Sequence, residues 1–155
     1  MKGRIADIRK NYSRRKLLEK KAAKDPFTQF GKWWKQAINA DIDEINAMTL
    51  ATASPDGMPS ARIVLLKDFT EKGFTFFTNY ESYKGQQMAE NPKACLVFFW
   101  KELERQVRIT GLVERIAAEA STEYFLSRPV ESRLGAVVSP QSRVIDSRDW
   151  LDDNY

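Results

Sequence analysis

The chain has 155 residues, 43% of them hydrophobic and 30% charged, ordinary values for one folded domain with a real core, and no apolar run is long enough for a membrane span. It has no histidine and one cysteine, Cys95, which removes Ser-His-Asp and Cys-His chemistry, histidine or cysteine-rich metal sites and any internal disulfide. The net charge of +4 is uneven: residues 1–24 carry ten basic and two acidic residues, the rest 15 basic and 19 acidic, so a basic leader precedes a mildly acidic domain over residues 25–155.

The leader shows no apolar signal core, and a cytoplasmic protein is expected. It also lacks a base-reading or stacking motif, so neither nucleic acid nor membrane is an expected partner. Lys16 to Lys24 extends as a charged helix that Asp25-Pro26 stops. Pro26 suits the first turn of a new helix with Asp25 as its cap. Phe27, Phe30, Trp34, Ala37 and Ile38 then recur at helical spacing, which predicts an amphipathic helix packed on a sheet.

Ala47 to Ala53 reads as a strand, and Ser54-Pro55-Asp56-Gly57 as a turn. Ser60 to Lys67 is the second strand of that hairpin. Its segment Arg62-Ile63-Val64-Leu65-Leu66-Lys67 sets four branched aliphatics between two cations and predicts a strand buried on both faces. Either the two charges reach water at the strand ends or an anion comes to them. Asp68 to Gly73 turns, and Phe74 to Thr78 is a third strand. Ser82 to Asn91 reads as a helix with Ser82 as its cap. Lys93 to Trp100 is a fourth strand, in which Cys95 is expected to be a buried, inert thiol. Glu104 to Ile116 is a fifth, with Val107, Ile109 and Val113 on one face and Gln106, Arg108 and Thr110 on the other. Helices follow over Ala117 to Ser127, Val130 to Val138 and Ser147 to Tyr155. Hairpin-linked strands with interspersed helices predict a mainly antiparallel sheet curled into a small barrel.

Three features have anion-binding character. Arg62 and Lys67 bracket a strand. Ser82-Tyr83-Lys84 opens a helix, where free N–H groups and the dipole favour a phosphate. Tyr124, Arg128 and Ser132 recur at spacings of four around a helix–Pro–helix corner. Together they predict two phosphate sites rather than one.

The ordered series Arg-Ile-Val-Leu-Leu-Lys (62–67), Phe-Phe-Thr-Asn (76–79), Ser-Tyr-Lys (82–84), Leu-Glu-Arg-Gln-Val-Arg-Ile-Thr-Gly (103–111), Tyr-Phe-Leu-Ser-Arg-Pro (124–129) and Ser-Arg-Leu-Gly-Ala-Val-Val-Ser-Pro-Gln-Ser (132–142) resembles the pyridoxamine 5′-phosphate oxidase family. The resemblance runs from about Asp25 to Ser147 and is far more specific than any single motif. It implies an α+β, mainly β, FMN-binding split barrel, antiparallel and Greek-key-like, with flanking helices. It also implies a homodimer with FMN at the interface. The implied reaction, in vitamin B6 metabolism, oxidises pyridoxamine or pyridoxine 5′-phosphate to pyridoxal 5′-phosphate, with O2 taking the electrons to give H2O2.

By position, the resemblance assigns Arg62 and Lys84 to the FMN phosphate and lays Ile63, Val64, Leu65 and Leu66 along the flavin through their backbone. Phe77 and Thr78 would touch it from the next strand, and Gln106, Gln141 and Ser142 would bond its polar atoms, some across the dimer. Lys67, which closes the flavin-binding run, would with Tyr124, Arg128 and Ser132 hold the substrate phosphate. Arg9, Lys10 and Tyr12 correspond to a mobile segment that covers the substrate. Tyr83 stands where many relatives have Arg or Lys, so one phosphate contact is replaced by a phenol or lost. Relatives continue with a Trp-containing strand pair and an Arg-x-His segment that includes the family's catalytic arginine. This sequence stops before them, so no catalytic residue is assigned. The expectation is a truncated or shortened member, and the alternative activity is binding of FMN or pyridoxal phosphate with little or no turnover.

Overall fold

A computed structural model describes residues 4–9, 11–13 and 17–155. Asp25 accepts a hydrogen bond from the Thr28 N–H, and Pro26 opens α1 (Pro26–Asn39), as the cap and the fixed proline φ dictate. Phe30 on α1 is the hub of the core. Its ring meets Trp34, Phe69, Phe74, Phe98 and Trp100 at centroid distances of 4.8 to 5.9 Å.

The sheet beneath α1 is built from β1 (Ala47–Ala53), β2 (Pro59–Leu65), β5 (Lys93–Trp100) and β6 (Arg105–Leu112), in the order β2-β1-β5-β6 and antiparallel throughout. The Ser54–Gly57 turn closes the β1–β2 hairpin, with Gly57 at φ +89°, a conformation that glycine adopts without strain. On the inward face Met48, Leu50, Leu96, Phe98 and Trp100 are buried against Phe30 and Ala37. A small second sheet pairs β3 (Asp68–Thr70) with β4 (Gly73–Thr75). Leu66 is the joint between the two sheets. Its N–H donates to the Asn46 carbonyl, while the Lys67 N–H already donates to the Thr75 carbonyl at the end of β4.

The remaining elements are α2 (Tyr83–Glu90), α3 (Ala118–Ser127), α4 (Val130–Val138) and α5 (Arg148–Asn154). Ser82 and Ser147 cap α2 and α5 through their side chains. Among the described residues no helix is long and apolar enough to cross a membrane.

Several expectations need correction. The 62–67 strand is not buried on both faces: β2 is a sheet edge, and its outward residues Ile63 and Leu65 are exposed. Arg62 is not at a strand end but inside β2, facing inward. Asp68 to Gly73 is not merely a turn, because it contains β3 and the start of the β3–β4 hairpin; the strand predicted over 74–78 ends at Thr75. β6 stops at Leu112, four residues short. The helix expected over 16–24 is a single 3-10 turn at Glu19–Lys21, consistent with a charged segment that has no apolar face to bury; its first residue lies outside the described residues. Ile38 is exposed at the end of α1, and Cys95 is only half-buried, on the outward face of β5.

Phe30 fills the space between helix and both sheets, so Phe30→Ala should destabilise the fold by about 3–5 kcal/mol. Chemical denaturation of the variant against the parent chain measures this.

Candidate anion-binding site

The inward face of the β1–β2 hairpin changes character along its length. Met48 opposite Val64 is apolar, Leu50 lies opposite Arg62, and Thr52 lies opposite Ser60. Arg62 therefore carries its charge into the polar end of an otherwise apolar surface. Its Nη1 donates to Thr52 Oγ1 at 2.7 Å and to the Leu50 carbonyl at 3.1 Å. Among the described residues Nε and Nη2 donate to nothing, and no carboxylate pairs with the guanidinium. Burial lowers its pKa, partly opposed by the nearby Tyr83 phenol, but a guanidinium stays cationic at any working pH.

The start of α2 faces the same place. Ser82 is fully buried, donates to the Asn79 carbonyl at 2.6 Å and accepts from the Gly85 N–H. Gly85 has to be glycine here, because a Cβ would overlap the carbonyl oxygens of Asn79 and Tyr80. Lys84 leans back over its own cap. Burial, and secondly the Arg62 charge, hold its ammonium below the usual lysine range. Its Nζ donates to Gln141 Oε1 at 2.9 Å, which brings the 139–143 loop onto the helix start. Ser142 adopts φ +70° in that loop, and Arg143 pairs with Glu81 at 3.7 Å. Two cations thus share a helix N-terminus with no acidic partner within 4 Å among the described residues. Such a place favours an anion with several oxygens.

A second cluster forms where the chain leaves β2. Phe77 and Tyr124 stack at 3.6 Å with ring planes 8° apart, and Lys67 Nζ lies 5.8 Å from the Tyr124 centroid. This joins Lys67, Phe77 and Tyr124 from three separate segments. Arg128, the half-buried C-terminal cap of α3, and the exposed Ser132 on α4 make no side-chain hydrogen bond to Lys67 or Tyr124. Thr78 Oγ1 and Arg133 Nε are buried with no hydrogen-bond partner among the described residues.

Gln106 does not join either cluster. It lies exposed on the outward face of β6, opposite Phe99, as strand alternation requires. Arg9 and Tyr12 are exposed, and Lys10 lies outside the described residues. Thr52, Ser60 and Gln87 escaped the sequence reading although they hold Arg62 in place. Their signal was available: two polar residues at inward positions of a hairpin call for a polar partner opposite them.

The profile of a family described as pyridoxamine 5′-phosphate oxidase matches residues 34–155. The chain is 60% identical over 149 residues to a pyridoxine/pyridoxamine 5′-phosphate oxidase of Gloeothece citriformis, a match covering 96% of this chain and 70% of that protein. It is 56% identical over 151 residues to a protein of the same name from Salinibacter ruber, covering 97% and 70%. Among solved structures, PhzG from Burkholderia lata, in complex with tetrahydrophenazine-1-carboxylic acid, superposes with a TM-score of 0.84 at 26% identity, over 87% of this chain and 67% of that one. A pyridoxamine 5′-phosphate oxidase-related, FMN binding protein from Nostoc punctiforme shares the fold with a TM-score of 0.63 at 16% identity, over 84% and 72%.

Lys84 ties the first cluster to pH. The fold is disfavoured while Lys84 is charged, and that cost disappears as pH rises from the lowered pKa toward the ordinary lysine value. Anion binding runs the other way: it needs the charged form and weakens as pH climbs through the lowered pKa. Calorimetric titration with sulfate, whose charge is constant from neutral pH to about 10, should show this alkaline loss, and Lys84→Gln should abolish it.

Proposed function

The chain belongs to the pyridoxamine 5′-phosphate oxidase family, and from that premise we propose that its domain, residues 25–155, takes part in FMN-dependent oxidation of pyridoxamine or pyridoxine 5′-phosphate to pyridoxal 5′-phosphate in the cytoplasm. The observation that carries this reading is the pairing of Arg62 and Lys84 at the start of α2 without a counter-charge. A flavin phosphate supplies the missing charge, and Arg62 still has two nitrogens able to grip it bidentately.

The residues present fit FMN in four further ways. β2 is an edge strand, so the backbone groups between Ile63 and Leu65 that point away from β1 remain available to a flavin ring, whereas those of Leu66 are already bonded to Asn46. Thr78 Oγ1 is a buried polar atom in want of a partner. Gln141 already sits on Lys84 and carries Ser142 with it. Tyr83, exposed beside Arg62, offers a phenol to the phosphate where a third cation would otherwise stand.

When bound, FMN supplies the two-electron oxidation of the substrate carbon and the delivery of those electrons to O2 as H2O2. The chain's own residues bind and orient. Lys67 and Tyr124, preassembled against Phe77, hold one side of the substrate phosphate; Arg128 and Ser132 close on it from the α3–α4 corner. Residues 1–24, basic and lacking regular structure beyond two 3-10 turns among the described residues, act as a leader next to this anionic ligand.

The assembly is a homodimer. Ile63 and Phe99, 65% and 63% exposed, stand with Val97 and Ala61 on the outward sheet face. An apolar face of this kind is suited to a second copy, and Gln106 on the same face would then reach the partner's flavin.

Purified protein titrated with FMN should show a bound-flavin absorption spectrum and release pyridoxal 5′-phosphate and H2O2 when pyridoxine 5′-phosphate is added under air. No flavin binding at micromolar FMN sinks the proposal, whereas bound flavin with no H2O2 favours a binding protein without turnover. Arg62→Ala should weaken FMN binding by about 2 kcal/mol, while Lys67→Ala should raise KM for the phosphate substrate and leave FMN affinity unchanged. Separately, Ile63→Glu should shift the protein to monomer in sedimentation analysis. A monomeric parent chain would refute the dimer.

A further inference from the structure

Gln87 lies on the sheet-facing side of α2 and is only 2% exposed. A buried amide is costly unless both of its ends are satisfied, and here both are. Thr52 Oγ1 lies 2.6 Å from Gln87 Oε1, and Gln87 Nε2 lies 2.9 Å from Ser60 Oγ. The network runs on from Arg62. Thr52 Oγ1 accepts from the guanidinium and donates its own hydrogen to Gln87 Oε1. Gln87 Nε2 donates to Ser60 Oγ, which also lies 3.1 Å from Oε1.

Gln87 is also three residues beyond Lys84, on the same helix. One side chain therefore fixes the helix that carries Lys84 to the hairpin that carries Arg62. The C-terminal end of α2 is tied separately, through Asn91 Nδ2 to the Ala53 carbonyl at 3.1 Å, so loss of Gln87 leaves the helix attached.

We propose that Gln87, acting through Thr52, is a positioning residue that aligns Arg62 with the start of α2 and so sets the preference of the site for a phosphorylated flavin over an unphosphorylated one. This rests on the FMN reading given above. Gln87 touches no ligand itself; it acts on the direction of the guanidinium edge left for the phosphate.

The test compares FMN with riboflavin, which lacks the phosphate, by quenching of flavin fluorescence. In Gln87→Met, which keeps the length of the side chain and removes its polar atoms, FMN affinity should fall roughly tenfold while riboflavin affinity stays at the parent value. Thr52→Val should behave likewise, and Thr52→Ser, which keeps the hydroxyl, should retain FMN affinity. In an Arg62→Ala background Gln87→Met should have no further effect on FMN. Equal weakening of both flavins shows a merely structural role and overturns the inference, as does unchanged FMN affinity. Should Gln87→Met fail to fold, the Thr52 pair decides alone. A parent chain that binds neither flavin overturns the FMN reading itself, an outcome distinct from either of these.

Discussion

Arg62 places a permanent cation on the inward side of a sheet whose other inward residues are mostly apolar. A charge in that position has to be met by hydrogen bonds or by an anion, and the surroundings divide the work. One nitrogen is held by Thr52 and the Leu50 carbonyl, and Tyr83 and Lys84 at the start of α2 lie close to the guanidinium. From this constraint follow the buried Gln87, the in-register Thr52 and Ser60, and the closeness of a second cation, Lys84, whose own charge the site disfavours. Two like charges kept together, with no carboxylate paired to either among the described residues, are a standing cost in the free protein, which a bound anion removes.

The core and the element order were legible because periodicity reports burial directly. The helical spacing of Phe27, Phe30, Trp34 and Ala37 and the alternation through Gln106, Val107, Arg108 and Ile109 each gave the correct element and, apart from Ile38, the correct face. The environment of Ile63 and Leu65 was not legible. Four aliphatics in a row look the same whether a strand is central or lies at an edge with an apolar outward face, and only strand order separates the two. Strand β3 was likewise hidden inside the turn expected over 68–73, since β3 and β4 have three residues each, too few for a periodic signal.

The candidate site was legible in part for the same reason. Arg62, Tyr83, Lys84 and Gln141 converge, and so do Lys67, Phe77 and Tyr124. These meetings depend on loops bringing distant segments together, which local pattern does not encode; the family resemblance supplied them. It supplied nothing for Thr52, Ser60 and Gln87, which act on the cluster from behind. The fold is shared with proteins as distant as the FMN binding protein of Nostoc punctiforme at 16% identity, while proteins named pyridoxine/pyridoxamine 5′-phosphate oxidase share 56–60% with this chain.

The joint at Leu66 gives the 62–67 stretch a second meaning, as a ruler. Five residue steps of extended chain carry Arg62 to Lys67, roughly 16 Å at the usual rise per residue. The buried Leu66 clamps the scale near one end, and the β1 ladder clamps the other. Strand alternation also turns residues of odd separation to opposite sides. The two cations are thus fixed in spacing and in sense, Arg62 half-buried on the inward side and Lys67 exposed just beyond the end of β2, by the extended chain together with the backbone bonds of Leu66 and Lys67. Inserting or deleting a single residue here would change the spacing by about 3 Å and reverse the relative direction. A side-chain substitution along this stretch alters one contact at a time, whereas a change of its length displaces both cations at once.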